Sequence, residues 1–277
     1  MSTEYSAEEI HGRLLTMAKD FHQICVDNNL KYYMLGGTML GAVRHKGFIP
    51  WDDDMDFGML REDYEKFLSI APMALDNKYF LQTWDNDPNY PFGFAKIRKK
   101  GTRFIEKALS YNTSHNELYI DLFPYDSFPD CYNDQRNQGR KIMKYKIGYL
   151  MKQNVKPWIT HEKVPERILV FLKYIPSQIY ALFHEKEFIK DNFKKEMTRF
   201  NSQITKRLYE QSGGAPYGKW VVDRDCFSSY IDLQFENVLF AAPIGYKKYL
   251  EQTYGDYMTL PPKDKRGNRH NIIEVKL

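Results

Sequence analysis

The chain has 277 residues, a mass of 33.0 kDa and a formal net charge of +4, and 43% of its residues are hydrophobic. This length and composition allow a large buried core and exclude an intrinsically disordered chain. The Lys and Arg residues are spread along the sequence without a basic stripe, so no nucleic-acid partner is expected. No apolar run reaches the roughly 20 residues of a bilayer-spanning helix, and the amino terminus lacks a secretory pattern, so we expect a cytoplasmic protein.

The three cysteines, Cys25, Cys131 and Cys226, are widely spaced in the sequence. They form no C-x-x-C pair of the kind that binds zinc or exchanges disulfides. We therefore expect all three to be reduced, semi-buried packing residues.

The first half of the chain alternates helix and strand patterns. Apolar residues at three- and four-residue intervals predict an amphipathic helix over residues 6–29. A short aromatic strand at 31–35 enters a tight turn at Gly36 and Gly37, after which Thr38 is suited to cap a second helix. Further patterns predict a helix at 61–70 and strands at 54–57, 79–83, 92–97, 103–106 and 119–123.

The second half is predicted to be mainly helical over residues 133–211. Breaks in the helical pattern are predicted at Pro157, Pro165 and Pro176. A strand at 236–241 and a helix at 245–254 follow, before a basic end. The first half fits an α/β or α+β class, and we separate a core at 1–130 from a mainly helical region at 131–277 that completes the site. One continuous domain is the alternative.

An acidic run, Asp52-Asp53-Asp54-Met55-Asp56, is the most informative stretch of the sequence. Two carboxylates 4 Å apart repel by roughly 4 kcal/mol at an effective dielectric constant of about 20, so the run needs solvent, protons or a cation. If Asp54 and Asp56 lie on one strand, they share a face, with Cα atoms roughly 6.5 Å apart. Oxygen ligands favour Mg²⁺ or Mn²⁺, and a solvated acidic turn is the alternative.

Candidate phosphate-binding groups flank this acidic run. The strand that ends in Gly36 and Gly37 and opens a helix at Thr38 would aim backbone N–H groups and a hydroxyl at a phosphate. Lys96 and Arg98 alternate on a predicted strand, so they share a face that is suited to grip a pyrophosphate. A solvated strand face is the alternative for this basic pair.

Arg44 and His45 close the helix that begins near Thr38. Their nearness to the acidic run allows a substrate-positioning role, but basic residues at a helix carboxyl end also interact favourably with the helix dipole. Both interpretations stay open from the sequence.

These motifs belong to a longer pattern. The run YYMLGGTMLGAVRHKGFIPWDDDMDFGMLREDY at 32–64 resembles the LicD family of phosphocholine transferases, bacterial relatives of the fukutin-type enzymes in the nucleotidyltransferase-like superfamily. The resemblance extends to FAKIR at 94–98, YIDLFPYD at 119–126 and YGDY at 254–257. It implies an α+β fold with a mixed β-sheet core flanked by helices, and a nucleotidyltransferase-like catalytic core within residues 1–130.

The resemblance also implies site residues. It makes Asp54, Asp56 and Asp121 the catalytic carboxylates and the ligands of Mg²⁺ or Mn²⁺, with Asp121 contributed by a later strand. The alternative for Asp121 is a helix cap or a turn residue. His270 is carried over as a substrate-binding residue from the closing region.

The resemblance further implies transfer of phosphocholine from CDP-choline, or of ribitol or glycerol phosphate from another CDP-alcohol, to a sugar hydroxyl of a cell-surface glycan or teichoic-acid precursor. An aromatic cage would hold choline, and Trp84, Tyr90 and Phe92 are candidates for its walls. The rival functions are transfer of a whole nucleotide and a non-catalytic module that binds a glycan or nucleotide. The apolar stretch 168–183 predicts a core helix pair or, alternatively, a peripheral membrane contact with a lipid-linked acceptor at the inner face of the membrane.

Overall fold

The computed structural model describes residues 6–160, 163–214, 217–263, 266–267 and 271–277. Its α-helices are α1 (Ala7–Asp27), α2 (Gly36–Arg44), α3 (Arg61–Ala74), α4 (Tyr132–Lys152), α5 (Val164–Phe183), α6 (Lys186–Thr198) and α7 (Tyr246–Tyr254). Its strands are β1 (Tyr33–Met34), β2 (Asp56–Leu60), β3 (Tyr79–Gln82), β4 (Ala95–Lys99), β5 (Arg103–Glu106), β6 (Tyr119–Phe128), β7 (Arg207–Glu210), β8 (Val221–Asp223), β9 (Tyr230–Phe235), β10 (Val238–Pro243) and β11 (Ile272–Lys276). The predicted α+β class is confirmed.

A mixed seven-stranded sheet forms the centre of the fold. Its main path runs β1-β2-β6-β4-β3, with β2 and β6 parallel and the other pairs antiparallel. Strand β6 pairs through its first half with β4 and through its second half with β7, which pairs in turn with β8. Strands from both halves of the chain therefore share this sheet.

Helix α1 covers the sheet because its apolar residues recur on one side. Ser6 caps the helix, since its hydroxyl accepts from the Glu9 N–H (3.1 Å) and the Glu9 carboxylate accepts from the Ser6 N–H (3.2 Å). Phe21 on the buried side packs against Phe57 and Phe67, with ring centroids 5.0 and 5.3 Å apart. Each fully buried Phe contributes about 1.5–3 kcal/mol, so these rings fix the helix on the sheet.

A second, smaller core lies among α4, α5, α6 and the loop before β4. Its buried residues include Trp84, Tyr90, Tyr149 and Phe193. Helix α5 continues through Pro176, where the sequence predicted a break. Pro176 is exposed, so the ring lies on the solvent side, where water can satisfy the carbonyl that loses its helical N–H partner.

Several element boundaries differ from those predicted. Strand β2 begins at Asp56, so Asp54 precedes the strand instead of lying on it. Strand β6 extends to Phe128, five residues beyond the predicted end, because its second half has a partner in β7. The sequence patterns missed β7, β8, β9 and β11, which are short and pair with strands distant in sequence or across a tight turn.

The cysteines partly follow the prediction. Cys25 and Cys226 are buried and Cys131 is exposed, and all three are free thiols. The expectation of a semi-buried Cys131 is wrong, because this residue caps the solvent-facing start of α4. In the described part of the chain, no helix combines the length and apolar character that crossing a bilayer requires.

Candidate active site

A cavity of about 260 Å³ lies where α2 and β2 begin, and it is lined by both acidic and aromatic residues. Its acidic residues are Asp52, Asp54, Asp56 and Glu210. Its aromatic residues are Phe123, Tyr125, Trp220, Tyr249 and Tyr254. Gly36, Gly37, Gly213, Gly214 and Lys219 line it as well. The predicted glycine turn and acidic run therefore meet at one cavity.

The glycine pair permits a close approach of carboxylates to the start of α2. Gly36 has φ +49°, and a Cβ atom there would lie 2.8 Å from Asp56 Oδ2. A Cβ atom on Gly37 would overlap Asp52 Oδ2. Since a helix amino terminus carries partial positive charge, it stabilises both carboxylates. Any larger residue at these two positions would collide with Asp56 or Asp52, so glycine fits both positions best.

Thr38 does not cap α2 as predicted. The helix begins two residues earlier, at Gly36, with Leu35 in the cap position. The Thr38 hydroxyl instead accepts from the backbone N–H of Asp56 (2.8 Å), and the side chain is buried. Thr38 therefore fixes the start of β2 and does not line the cavity.

The acidic groups have the chemistry of a magnesium site. Within the described residues, Asp52, Asp53 and Asp54 form a group whose carboxylate oxygens lie within 4.8 Å of one another. Asp56 and Asp121 are directly paired across the parallel strands β2 and β6. Hard oxygen donors in a partly open cavity fit Mg²⁺ or Mn²⁺. The predicted ligand set of Asp54, Asp56 and Asp121 stays a prediction.

Asp121 is held by a buried ion pair with Lys96. The Lys96 Nζ atom lies 2.7 Å from Asp121 Oδ1, and both side chains are almost fully buried. The same Nζ atom lies 3.2 Å from the centroid of the Tyr119 ring, with Phe94 at 5.3 Å. Burial raises the pKa of the Asp121 carboxyl to about 6, although Lys96 lowers it, and Asp54 raises it further. Asp54 and Asp121 are therefore close enough to interact electrostatically.

Arg98 lies on the same strand as Lys96, and its side chain makes hydrogen bonds inside the protein. It is buried, and its guanidinium donates to the Gln82 side chain and to the carbonyl oxygen of Glu117. Neither Lys96 nor Arg98 lines the 260 Å³ cavity. The alternative of a solvated strand face is wrong, because both side chains are buried. The predicted grip on a pyrophosphate stays a prediction.

Arg44 and His45 also lie outside the cavity lining. The Arg44 Nε–H donates to His45 Nε2 (3.0 Å), and an Arg44 NH1 hydrogen is donated to the carbonyl oxygen of Tyr257 (3.2 Å). Partial burial lowers the pKa of His45, and the charge of Arg44 lowers it further. His270 lies outside the described residues.

Comparison with known proteins places these residues in a family. Residues 29–161 match the family model described as LicD/FKTN/FKRP, nucleotidyltransferase domain. This segment is a LicD-family nucleotidyltransferase domain. It contains the glycine turn, the acidic run and Asp121.

Named relatives agree with the family match. The Haemophilus influenzae protein named lipopolysaccharide cholinephosphotransferase LicD is 28% identical over 257 residues, 90% of each chain. The Homo sapiens protein named ribitol 5-phosphate transferase FKRP is 50% identical over 100 residues, 35% of this chain and 17% of FKRP. An uncharacterized Rickettsia typhi protein is 49% identical over 153 residues, 49% of this chain and 39% of that protein. The chain is therefore similar, over most of its length, to a protein named as a cholinephosphotransferase and, over shorter segments, to FKRP and a Rickettsia protein.

Part of the cavity lies outside the LicD-family domain, and sequence reasoning missed it. Glu210 is buried at the end of β7, and its Oε1 atom accepts from the N–H groups of Ser212 (2.6 Å) and Gly213 (2.8 Å). Burial raises the pKa of Glu210, while the Ser212 hydrogen bond lowers it. Trp220 faces Tyr254 with ring centroids 6.0 Å apart. Of these residues, only Tyr254 belongs to a segment that carried the LicD resemblance.

The aromatic residues proposed from sequence as cage walls lie elsewhere. Trp84 and Tyr90 are buried in the second core, where they pack with α4 and α6. Phe92 packs beside Phe94, and its ring lies 5.8 Å from Lys96 Nζ. None of the three lines the cavity of the LicD-type site.

Proposed function

We propose that this protein transfers phosphocholine from CDP-choline to a sugar hydroxyl of a lipopolysaccharide-type glycan. The observation that carries the proposal is the 260 Å³ cavity, which is lined by both carboxylates and five aromatic rings. The relative named lipopolysaccharide cholinephosphotransferase, matched over 90% of the chain, supports phosphocholine as the transferred group and lipopolysaccharide as the acceptor class.

The aromatic residues of the cavity are suited to the choline head group. A quaternary ammonium binds favourably to the faces of Trp and Tyr rings, and it cannot donate a hydrogen bond. Trp220, Tyr249 and Tyr254 supply such rings, and Glu210 adds a buried carboxylate for the positive charge. In this arrangement the choline methyl groups contact rings while the phosphates extend toward the acidic run.

The acidic residues of the cavity would hold a divalent cation together with the donor pyrophosphate. The proposed ligands are Asp54 and Asp56, which line the cavity beside Asp52, and Asp121, which does not line it but is paired with Asp56 across β2 and β6. Bound Mg²⁺ or Mn²⁺ would neutralise charge on the pyrophosphate. Thr38 and Gly36 keep Asp56 in place through the contacts described above. Lys96 orients Asp121 by the ion pair.

In the proposed reaction, the acceptor hydroxyl oxygen attacks the phosphorus atom nearest choline. A new P–O bond forms to the sugar, the P–O bond to CMP breaks, and the hydroxyl proton passes to a carboxylate of the cavity. CMP leaves with the electron pair of the broken bond. The products are a phosphocholine-bearing glycan and CMP.

Purified protein incubated with CDP-choline labelled in the choline part and with a deacylated lipopolysaccharide acceptor tests the proposal. We expect labelled glycan and free CMP, with activity lost in Asp54→Asn and strongly reduced in Trp220→Ala. Tyr111→Ala, which removes an exposed aromatic residue elsewhere, is the matched control and should keep activity. Label that stays in the soluble donor, or transfer of the cytidine half, would refute the proposal.

A second candidate is transfer of ribitol phosphate. The 50% identity to the protein named ribitol 5-phosphate transferase FKRP over 100 residues favours it. CDP-ribitol in the same assay separates the two donors, because ribitol needs hydrogen-bonding partners and gains little from aromatic faces. Under this alternative, Trp220→Ala would weaken use of CDP-choline without lowering turnover of CDP-ribitol.

A further inference from the structure

Helix α5 packs by one side and leaves an apolar side in solvent. Ala181 is its buried residue, on the side that faces α4. The opposite side, which we call the α5 face, consists of residues spaced three or four apart along the helix: Pro165, Ile168, Leu169, Leu172, Pro176, Ile179 and Phe183. Leu169 is 66% exposed and Phe183 is 80% exposed. No charged residue interrupts this face.

A long apolar helix face that remains exposed is uncommon on a soluble monomer. Contiguous exposed apolar patches mark surfaces that contact a protein, a ligand or a membrane. Leu182 (79% exposed) and Phe171 (39% exposed) widen the α5 face on one side. Trp158, at the turn before the helix, packs against Phe171 with ring centroids 5.2 Å apart. A Trp at the edge of an apolar face is typical of a membrane interface.

The charge around the α5 face identifies the partner. Residues 132–199 contain 15 Lys or Arg and 7 Asp or Glu, a formal charge of +8, whereas the whole chain carries +4. The rest of the chain is therefore net negative. Lys163 and Lys173 are exposed at the borders of the face. An apolar helix face that is bordered by exposed lysines, in a region of net positive charge, complements anionic lipid head groups.

We propose that the α5 face binds the surface of an anionic lipid bilayer. The apolar residues would enter the boundary between head groups and acyl chains, with Lys163 and Lys173 near the lipid phosphates. A second copy of the chain fits less well, since two faces that each carry this positive charge would repel. This inference rests on the exposure and charge of α4–α6 and does not depend on the proposed transferase activity.

Vesicle flotation of the full-length chain tests the proposal. We expect it to float with vesicles that contain phosphatidylglycerol, to bind pure phosphatidylcholine vesicles weakly, and to lose part of its binding at high salt. Leu169→Glu with Leu172→Glu should lower the partition coefficient at least about tenfold, because each change puts a charge where apolar burial is needed. Met73→Glu, at a residue of α3 that is 89% exposed, is the matched control.

The possible results separate the candidate partners. Absence of wild-type binding to anionic vesicles overturns the proposal without reliance on any variant. Binding that is equal in wild type and the double variant also overturns it. A stable dimer in sedimentation experiments that the double variant dissociates would assign the α5 face to a second copy instead. Circular dichroism verifies that the variants, which change exposed residues only, keep the helical content of the wild type.

Discussion

The ion pair between Lys96 and Asp121 offers a quantitative test of how the site is held together. The two charges lie 2.7 Å apart, and their side chains are 3% and 8% exposed. At an effective dielectric constant of about 20, their attraction is roughly 6 kcal/mol, which offsets most of the cost of removing both ions from water. Lys96→Met leaves the Asp121 carboxylate buried alone, so we expect the free energy of unfolding at pH 7 to fall by about 3–5 kcal/mol.

The penalty for Lys96→Met should depend on pH. Burial raises the folded-state pKa of Asp121 to about 6, above its ordinary value of 3.8. A carboxyl with a raised pKa favours the folded state below its unfolded pKa, and this contribution is lost as the pH rises through the folded pKa. At pH 5 Asp121 is therefore largely neutral and needs no counter-ion. We expect Lys96→Met to cost less at pH 5 than at pH 7.

Urea denaturation with a double-mutant cycle measures this coupling. The double variant Lys96→Met with Asp121→Asn removes both charges. Its loss of unfolding free energy should therefore be clearly smaller than the sum of the losses in the two single variants. Lys99→Met, at the solvent-facing end of the same strand, controls for loss of a lysine and should change stability by less than about 0.5 kcal/mol. Additive losses, or a Lys96→Met penalty below about 1 kcal/mol at pH 7, would contradict a paired buried carboxylate.

Three further predictions concern glycine-to-alanine substitutions and the reactivity of the cysteines. Gly36→Ala places a Cβ atom at φ +49° against Asp56, so the free energy of unfolding, measured by denaturation, should fall by about 1–2 kcal/mol. The proposed transferase activity, measured as turnover, should also fall, because Asp56 would have to move. Gly41→Ala would overlap a backbone carbonyl oxygen and should lower the melting temperature, whereas Gly12→Ala meets no neighbour within 4 Å in α1 and should stabilise by about 0.5–1 kcal/mol. Cys131 should react rapidly with a thiol reagent in the native protein, and the two buried cysteines only after unfolding, because burial raises their pKa.

The sequence predicted helices and strands well where their signals are local, within the residues of the element itself. The helix predicted over 6–29 is found as Ala7–Asp27, since its apolar spacing and its cap at Ser6 are local signals. The strand Arg103–Glu106 is found as predicted. Pro176 misled the prediction because the cost of a proline inside a helix depends on which side the ring faces, and that side is set by packing against α4.

Part of the site was predictable because some of its residues lie close together in the sequence. The glycine turn and the acidic run are close in sequence, and they do meet at one cavity. The partner of Lys96 was not predictable, because it depends on the register between β4 and β6, which sets Lys96 opposite Asp121. Alternation placed Lys96 and Arg98 on one side of a strand but gave no information on whether that side is solvent or core.

The residues of the cavity bear on donor choice in different ways. Asp52, Asp54 and Asp56 lie within the matched segment at 29–161, and under the proposed function they would handle a pyrophosphate, which every CDP-alcohol contains. The rings of Trp220, Tyr249 and Tyr254 come from later in the chain, and the Gly36 N–H donates to the Tyr249 hydroxyl (3.3 Å), so Tyr249 lies beside the start of α2. The cholinephosphotransferase match spans 257 residues, whereas the ribitol 5-phosphate transferase match spans 100. Under the proposed function, the rings of Trp220, Tyr249 and Tyr254 would distinguish the head group, so the longer match is the more informative about the transferred group, and it supports choline.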